Sequence, residues 1–198
     1  RVKHILHYAD FYGCDQGRIK GLVFCSRLEE AQALCDAFNK YGKRSACMSG
    51  ATNEGERKNL IDRLELDDYN NPTALDYLFS VDVLNEGVDI PSVNQIIMLR
   101  PTASAIVFVQ QLGRGLRKSK DKRYLEVIDF IGNYDNNYLL PIALYGDRTY
   151  KKEHVRRTMQ NNYLPGASTV YFEDVIKERI FKKLNTTNLK TLKSLRES

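Results

Sequence analysis

Gln110, Arg114 and Arg117 are the residues whose types and spacing point most directly to chemistry. They lie in the run Val109-Gln110-Gln111-Leu112-Gly113-Arg114-Gly115-Leu116-Arg117 and stand at i, i+4 and i+7. The apolar lead-in Ile106-Val107-Phe108 makes the segment read as helix. At about 100° per residue the three side chains fall within about 60° of one another. Val109, Leu112 and Leu116 gather on the opposite side, where they can pack into a core. Such a helix suits the grip of a polyphosphate, because each guanidinium is a planar fork of donors that stays charged. The same spacing equally fits arginines that, with Lys118, only complement the negative end of a helix dipole.

A second segment lies upstream, Phe79-Ser80-Val81-Asp82-Val83-Leu84-Asn85-Glu86-Gly87-Val88-Asp89-Ile90-Pro91. It reads as an apolar strand ending near Val81, followed by a turn around Gly87, Asp89 and Pro91. Together the two segments closely resemble motifs V and VI of superfamily 2 helicases and translocases: Gly-x-Asp after a strand, then Gln-x-x-Gly-Arg-x-x-Arg on a helix. Gly21-Leu22-Val23-Phe24-Cys25-Ser26-Arg27 resembles the motif IV strand of that family. Ser49-Gly50 followed by Arg57 resembles its strand, His-Gly and helical-Arg segment, with serine where histidine is usual. The resemblance covers roughly residues 18 to 132, and four ordered motifs make it specific.

What the resemblance implies is the C-terminal RecA-like lobe of a superfamily 2 DEAD/DEAH-type helicase, an α/β fold with helices on both faces of a parallel sheet. In that family Arg117 would be the arginine finger reaching the γ-phosphate of ATP held by the other lobe. Arg114 would contact the same phosphate, and Gln110 the γ-phosphate or the attacking water. Gly87 would allow close backbone approach, and Asp89 would meet the ribose or a neighbouring motif. A tight turn with no ligand is the alternative for Gly87 and Pro91. Ser26, Arg27 and Gly50 match positions that hold a nucleic-acid backbone. Where many relatives have threonine before the motif V aspartate this chain has Val81, with Ser80 one step earlier, so a hydroxyl contact from Ser80 to phosphate is an open expectation.

The family's remaining chemistry has no counterpart here. There is no Gly-x-x-x-x-Gly-Lys-Ser/Thr loop, and Gly42-Lys43-Arg44-Ser45 lacks its glycines. Nor does an Asp-Glu pair follow a strand to hold Mg2+. Phosphoryl transfer needs cradle, metal and arginines together. ATP and Mg2+ are therefore expected to be held mostly by a first RecA-like lobe of the same parent chain, and this chain alone is expected to be inactive. The opening at Arg1, inside a helix pattern, reads as a cut fragment. Gln110-Gln111 and the segment from Asn85 to Pro91 resemble the restriction and repair branch, which favours DNA over RNA. The rival expectation is a non-catalytic RecA-like module that binds nucleic acid or a protein partner.

The elements that must position these residues alternate. Val2 to Tyr12 reads as an amphipathic helix, Leu22 to Cys25 as a strand, and Ser26 as the cap of a helix to about Phe38, with Glu29 completing a capping box. Ala46 to Met48 is a short strand and Asn53 to Leu66 a helix with acidic residues in its first turn. Leu75 to Val81, Gln95 to Leu99 and Tyr124 to Ile131 suit strands buried on both faces. Strands alternating with helices imply a parallel sheet with crossovers, whose ligands gather at the strands' carboxyl ends. Ser26, Gly50, Asp82 and Gly87 all follow strand ends, which fits one functional rim.

Beyond about Gly132 the alternation stops and helices are expected at 136–144, 150–161, 173–184 and 189–196. The boundary falls near 147, between the RecA-like lobe (1–147) and a basic, mainly helical appendage (148–198). The appendage holds twelve Lys/Arg against five Asp/Glu, net +7, which leaves −2 on the lobe from an overall +5. Lys151, Lys152, Arg156 and Arg157 on one helix, and Lys182 and Lys183 on the next, are candidate phosphate contacts. A solvated face, or a seam against an acidic domain, fits the same charges. The 198 residues are 42% hydrophobic and 28% charged, with no apolar run near the ~20 residues of a membrane span. Cys14, Cys25, Cys35 and Cys47 form no Cys-x-x-Cys pair and read as free thiols in a reducing cytoplasm. No metal site is expected; His4 and His7, one turn apart, could share a ligand but fit a packed or solvated helix face better.

Overall fold

The computed structural model describes residues 1–15, 17–68, 70–81, 90–100, 123–130, 141, 151–161 and 174–186. They divide between two compact units, one with 1–100 and 123–130, the other with 141, 151–161 and 174–186. In the first unit the elements are α1 (Val2–Tyr12), β1 (Gly21–Phe24), α2 (Leu28–Lys40), β2 (Ser45–Met48), α3 (Glu54–Glu65), β3 (Tyr77–Ser80), β4 (Gln95–Met98) and β5 (Glu126–Asp129). The second contains α4 (Lys152–Asn161) and α5 (Asp174–Thr186).

Among the described residues the five strands form one sheet in the order β2-β3-β1-β4-β5, with every pairing parallel. No two neighbouring strands can then be joined by a tight turn, and each connection must cross over with a helix or a long segment. α2 and α3 supply the crossovers from β1 to β2 and from β2 to β3. β1, β3 and β4 are buried along their whole length, as strands covered on both faces must be. Val23, Cys25, Tyr77, Phe79, Ile97 and Leu99 share one core cluster with Ile5, Leu6 and Ala9 of α1 and with Ala31, Leu34, Cys35 and Phe38 of α2. Side chains alternate along a strand, so Leu22, Phe24, Leu78, Ile96 and Met98 belong to the opposite face, and all five are buried. Burial pushes the Cys25 and Cys35 thiols up to about 12, which keeps both neutral as packing groups.

Two local expectations need correction. The N-cap of α2 is Arg27, not Ser26: Arg27 is extended (φ −136, ψ 148), its carbonyl accepts the first helical bond from the Ala31 N–H at 3.0 Å, and no side chain caps the helix. Ser26 therefore sits one residue outside, and the capping box with Glu29 does not form. β5 is shorter than expected and only Ile128 is buried, with Glu126 and Val127 half-buried and Asp129 exposed. It stands at the end of the strand order, with a partner on one side. At the other end, the side-chain amide of Asn39 accepts from the Ser45 N–H at 2.8 Å and donates to the Ser45 carbonyl at 3.1 Å, occupying the outward polar groups of the first residue of β2.

Polar groups from distant parts of the chain lock the amino ends of the strands. The Tyr77 hydroxyl donates to Gln95 Oε1 at 2.9 Å, and Gln95 Nε2 donates to the Ala9 carbonyl at 2.9 Å near the end of α1. This arrangement explains Gly21. A Cβ there would lie 2.3 Å and 2.5 Å from the ring carbons Cδ1 and Cε1 of Tyr77. The ring is wholly buried and tethered through its hydroxyl, so it has nowhere to go. Gly21→Ala is expected to destabilise by about 3 kcal/mol, the upper end of overpacking costs. Denaturant melting of the purified variant checks this, and an unchanged midpoint would show that the ring yields.

Candidate functional site

The strand register builds the site's platform. Phe24 pairs with both Ser80 and Met98, Met48 with Ser80, and Met98 with Asp129, so the carboxyl ends of all five strands lie in one row. The ladder runs one residue further: Cys25 N–H donates to the Ser80 carbonyl (3.0 Å), Val81 to Met48 (3.2 Å), Leu99 to Phe24 (2.9 Å) and Phe130 to Met98 (3.1 Å). A parallel sheet thereby delivers every strand-to-helix connection to the same edge. Ser26, Arg27, Gly50 and Ser80, four residues expected in the site, stand on or under that rim.

Ser26 and Arg27 are exposed at the entry to α2. The first amides of a helix have no partners within it and favour an anion, although Glu29 and Glu30 in this first turn work against one. Glu30 is engaged by Arg1 at 2.6 Å.

The turn after β2 is more tightly made. Thr52 N–H donates to the Ser49 carbonyl at 3.0 Å and Thr52 Oγ1 accepts from the Ser49 N–H at 3.0 Å. Ser49 Oγ accepts from the Ala51 N–H at 3.3 Å. Asn53 then caps α3, its side chain accepting from the Glu56 N–H at 2.9 Å. Arg57, one turn into α3, reaches back with Nε to the Thr52 carbonyl (2.7 Å) and with a terminal nitrogen to the Gly50 carbonyl (3.1 Å). Arg57 belongs to the motif noted in the sequence, but its bracing of this turn, and Thr52 as its partner, were not foreseen. The only local sequence signal is a basic residue one turn inside the helix that follows Ser-Gly. Gly50 itself is exposed, and a Cβ added to it would meet nothing within 4 Å. The fold does not require glycine at this position, so the space beside it is open to a ligand.

Ser80 is placed differently. It is 1% exposed at the end of the β3 strand, and its Oγ is buried without a hydrogen-bond partner. A buried hydroxyl left unpaired is costly, which marks Ser80 as lying beneath the rim surface. On the other side of β1 along the rim, Arg100 is 8% exposed with its guanidinium 6.0 Å from the Phe24 ring centroid. Gly87, Asp89, Gln110, Arg114 and Arg117 lie outside the described residues.

In the second unit, Val155 and Met159 of α4 and Ile180 and Leu184 of α5 are buried. Lys152 Nζ donates to the Asn185 carbonyl at 3.0 Å, and Arg156 donates to the Asn185 side chain. Both cations thus meet the carboxyl end of α5, where the helix dipole favours them. Lys151 and Arg157 are exposed. Among the described residues no group of three or more His, Cys, Asp or Glu could hold a metal ion, so Mg2+ is assigned to no residue here. His4 and His7 are exposed on α1 and lie against neighbouring rings: His4 edge-on to Tyr8 at 4.8 Å and His7 stacked on Phe11 at 6.3 Å. No described helix is long and apolar enough to cross a membrane.

Comparison with known proteins gives concordant findings. A family model described as the helicase conserved C-terminal domain matches residues 4–119. The chain is 35% identical over 113 residues to irc3 of Schizosaccharomyces pombe, described as a mitochondrial ATP-dependent helicase; the match covers 57% of this chain and 18% of that protein. It is 28% identical over 132 residues to the ATP-dependent RNA helicase SrmB of Haemophilus influenzae, covering 67% of this chain and 28% of the relative. This chain thus spans less than a third of either relative. Among solved structures, the E. coli DEAD-box protein SrmB, bound to regulator of ribonuclease activity A, superposes with a TM-score of 0.52 at 18% identity. That likeness covers 74% of this chain and 79% of the other, and it shows the same RecA-like fold.

Proposed function

The chain belongs to the helicase conserved C-terminal domain family, and on that premise we propose that it is the second motor lobe of an ATP-dependent DNA helicase or translocase. The observation that carries this reading is the extent of the family match. It spans both the rim residues Ser26, Arg27 and Gly50 and the segment from Gln110 to Arg117. The division of labour follows. The rim holds a stretch of nucleic-acid backbone, while Arg117, Arg114 and Gln110 meet the γ-phosphate of ATP bound to the first lobe, with Gly87 and Asp89 close to the nucleotide. Neutralising phosphate charge with fixed guanidiniums is what phosphoryl transfer needs from this side of the cleft. ATP and Mg2+ are held mainly by the partner lobe. DNA is preferred to RNA on the Gln110-Gln111 and Asn85 to Pro91 segments. In the appendage, Lys151 and Arg157 are exposed candidates for phosphate contact, and Lys152 and Arg156 donate to Asn185 of α5.

Two rim variants test the reading through different observables. Gly50→Ala adds a methyl group in open space, so its melting should match the wild type. If a phosphate approaches that backbone, affinity for an oligonucleotide should fall about tenfold or more, the worth of one charge-assisted hydrogen bond at about 1.5–3 kcal/mol. The dependence on salt should not change, because no cation is lost. Arg27→Ala should instead flatten the slope of log affinity against log salt by about 0.7–0.9. Fluorescence anisotropy on single-stranded and duplex DNA and on RNA reads both. Wild-type affinity and slope in both variants would remove the rim from the nucleic-acid path, and tighter binding of RNA would reverse the preference for DNA.

A further inference from the structure

We propose a second binding surface for single-stranded nucleic acid on the outer face of α1 and the turn that follows α2, at the opposite end of the sheet from the rim. This inference rests on the reading that the chain handles nucleic acid but on none of the rim residues. The surface is defined by aromatic rings that the fold leaves in solvent. Phe11 is 72% exposed, Tyr41 51% and Tyr12 39%. Between α1 and Tyr41 lies a cleft of about 270 Å³ lined by Lys3, Leu6, His7, Asp10, Tyr41 and Lys43.

Its position follows from contacts already described. Gln95, the first residue of β4, donates to the Ala9 carbonyl, which brings the end of α1 to the amino ends of the strands. Tyr41 and Lys43 immediately precede β2 and so belong to the same end. The rim at the strands' carboxyl ends is separated from them by the length of the sheet.

The arrangement of the rings indicates what would cover them. His7 and Phe11 are stacked with 28° between their planes, and Tyr8 and Tyr12 are stacked at 18° with centroids 6.0 Å apart. Both pairs are i, i+4 neighbours on α1; Tyr8 is half-buried against the core and Phe130, so the column open to solvent is that of His7 and Phe11. A flat, uncharged group can extend such a column, and a nucleobase is one. Beside the His7–Phe11 pair, in the same cleft, stands the ammonium group of Lys3, while Lys43 and Asp10 pair with each other at 2.7 Å. The cleft thus offers net positive charge next to stacking faces. Single-stranded nucleic acid matches both features, with bases for the rings and phosphates for the cations, and this combination is how sequence-tolerant strand binding works. An acidic peptide would need aromatic residues of its own at matching spacing to cover Phe11 and Tyr41, whereas every nucleotide carries both a planar base and a phosphate.

The test uses the chain as it stands with a single-stranded oligonucleotide carrying 5-bromouracil bases. Phe11→Ala and Tyr41→Ala should keep the wild-type melting curve, since both side chains are mostly in solvent. Each should weaken binding by roughly 5- to 100-fold, the loss seen when a base loses one aromatic stacking partner, with little change in salt slope. Photocrosslinks should map to the peptides containing Phe11 and Tyr41. Gly50→Ala serves as the independent control: if it has no effect while the aromatic variants do, the rim assignment fails and this surface stands. If the Phe11→Ala/Tyr41→Ala double variant binds as the wild type does, or crosslinks map only to 26–27 and 49–52, the surface is overturned and the rim stands. An absence of oligonucleotide binding by the wild-type chain overturns it as well.

Discussion

Arg117→Ala in the full-length parent protein is expected to reduce nucleic-acid-stimulated ATP turnover by roughly 10³–10⁵, about 4–7 kcal/mol of barrier, while leaving oligonucleotide affinity within a few-fold of the wild type. The reasoning separates two roles that the same residue could play. An arginine that completes the charge balance around a transferring phosphoryl group acts on the transition state, so its loss appears in kcat. An arginine that only complements a helix dipole is worth well under ~1 kcal/mol and would appear in stability, if anywhere. Steady-state turnover with saturating ATP and single-stranded DNA, beside anisotropy on the same variant, distinguishes them. Turnover within a few-fold of wild type would leave Arg117 with no part in catalysis and the chain a binding module. Parallel loss of turnover and of affinity would point to a damaged fold.

The largest stability effect is expected at Arg18. Its side chain is 4% exposed, and its guanidinium donates to the carbonyls of Leu64 (2.8 Å), Leu66 (2.7 Å) and Leu75 (2.6 Å) and to Asp76 Oδ1 (3.1 Å). Two of those carbonyls belong to the end of α3, so Arg18 serves as that helix's cap from 46 and 48 residues away. Burial lowers its affinity for the proton and the neighbouring Asp76 raises it, and the ordinary value is so high that the group stays charged. Asp76 is shared with Arg44, which donates to both carboxylate oxygens at 2.9 Å and 3.2 Å. Arg18→Met would keep the volume, leave three buried carbonyls unpaired and remove one cation from the pair. Breaking one side of a buried ion pair costs about 3–5 kcal/mol. For a domain of this size each kcal/mol lowers the melting temperature by about 2–4 °C. A fall of about 10 °C is expected by thermal melting. Arg18→Lys should recover less than half, because an ammonium cannot present the same fork. A variant within 2 °C of wild type would mean that water takes over the orphaned carbonyls.

The two sites differ in how far the sequence announces them. β1, β2, β3 and β4 sit within about two residues of where apolar runs place them, because strands buried on both faces, as β1, β3 and β4 are, must be mainly apolar. The rim follows from the same logic: in a parallel sheet the residues after each strand share an edge, so Ser26 and Gly50 could be brought together without coordinates. Arg27 as the cap of α2 was not legible, since one residue's φ and ψ decide it and Ser26 is the better capping residue by type. Nor was the exposure of β5, which depends on strand order rather than on Val127 and Ile128 themselves. Least legible are Arg18 at the end of α3, Gln95 at the end of α1, and Asp15, buried and accepting from the Arg123 guanidinium at 3.2 Å across 108 residues. Each is a polar residue meeting a distant carbonyl or charge, and nothing in its neighbours distinguishes it from a surface residue. Arg57 stands out by its place after Ser49-Gly50, but its partners are main-chain carbonyls that any sequence would supply.

The Asn39 amide, seated on the outward N–H and carbonyl of Ser45, has a consequence for coexistence with other chains. A sheet that ends in an open strand offers a template onto which a second polypeptide can zip, and aggregation between copies begins at such places. Recruiting another strand along β2 would first require displacing a side chain that already satisfies the opening donor and acceptor. Among the described residues, Asn39 thus makes the start of β2 a poorer template for another strand.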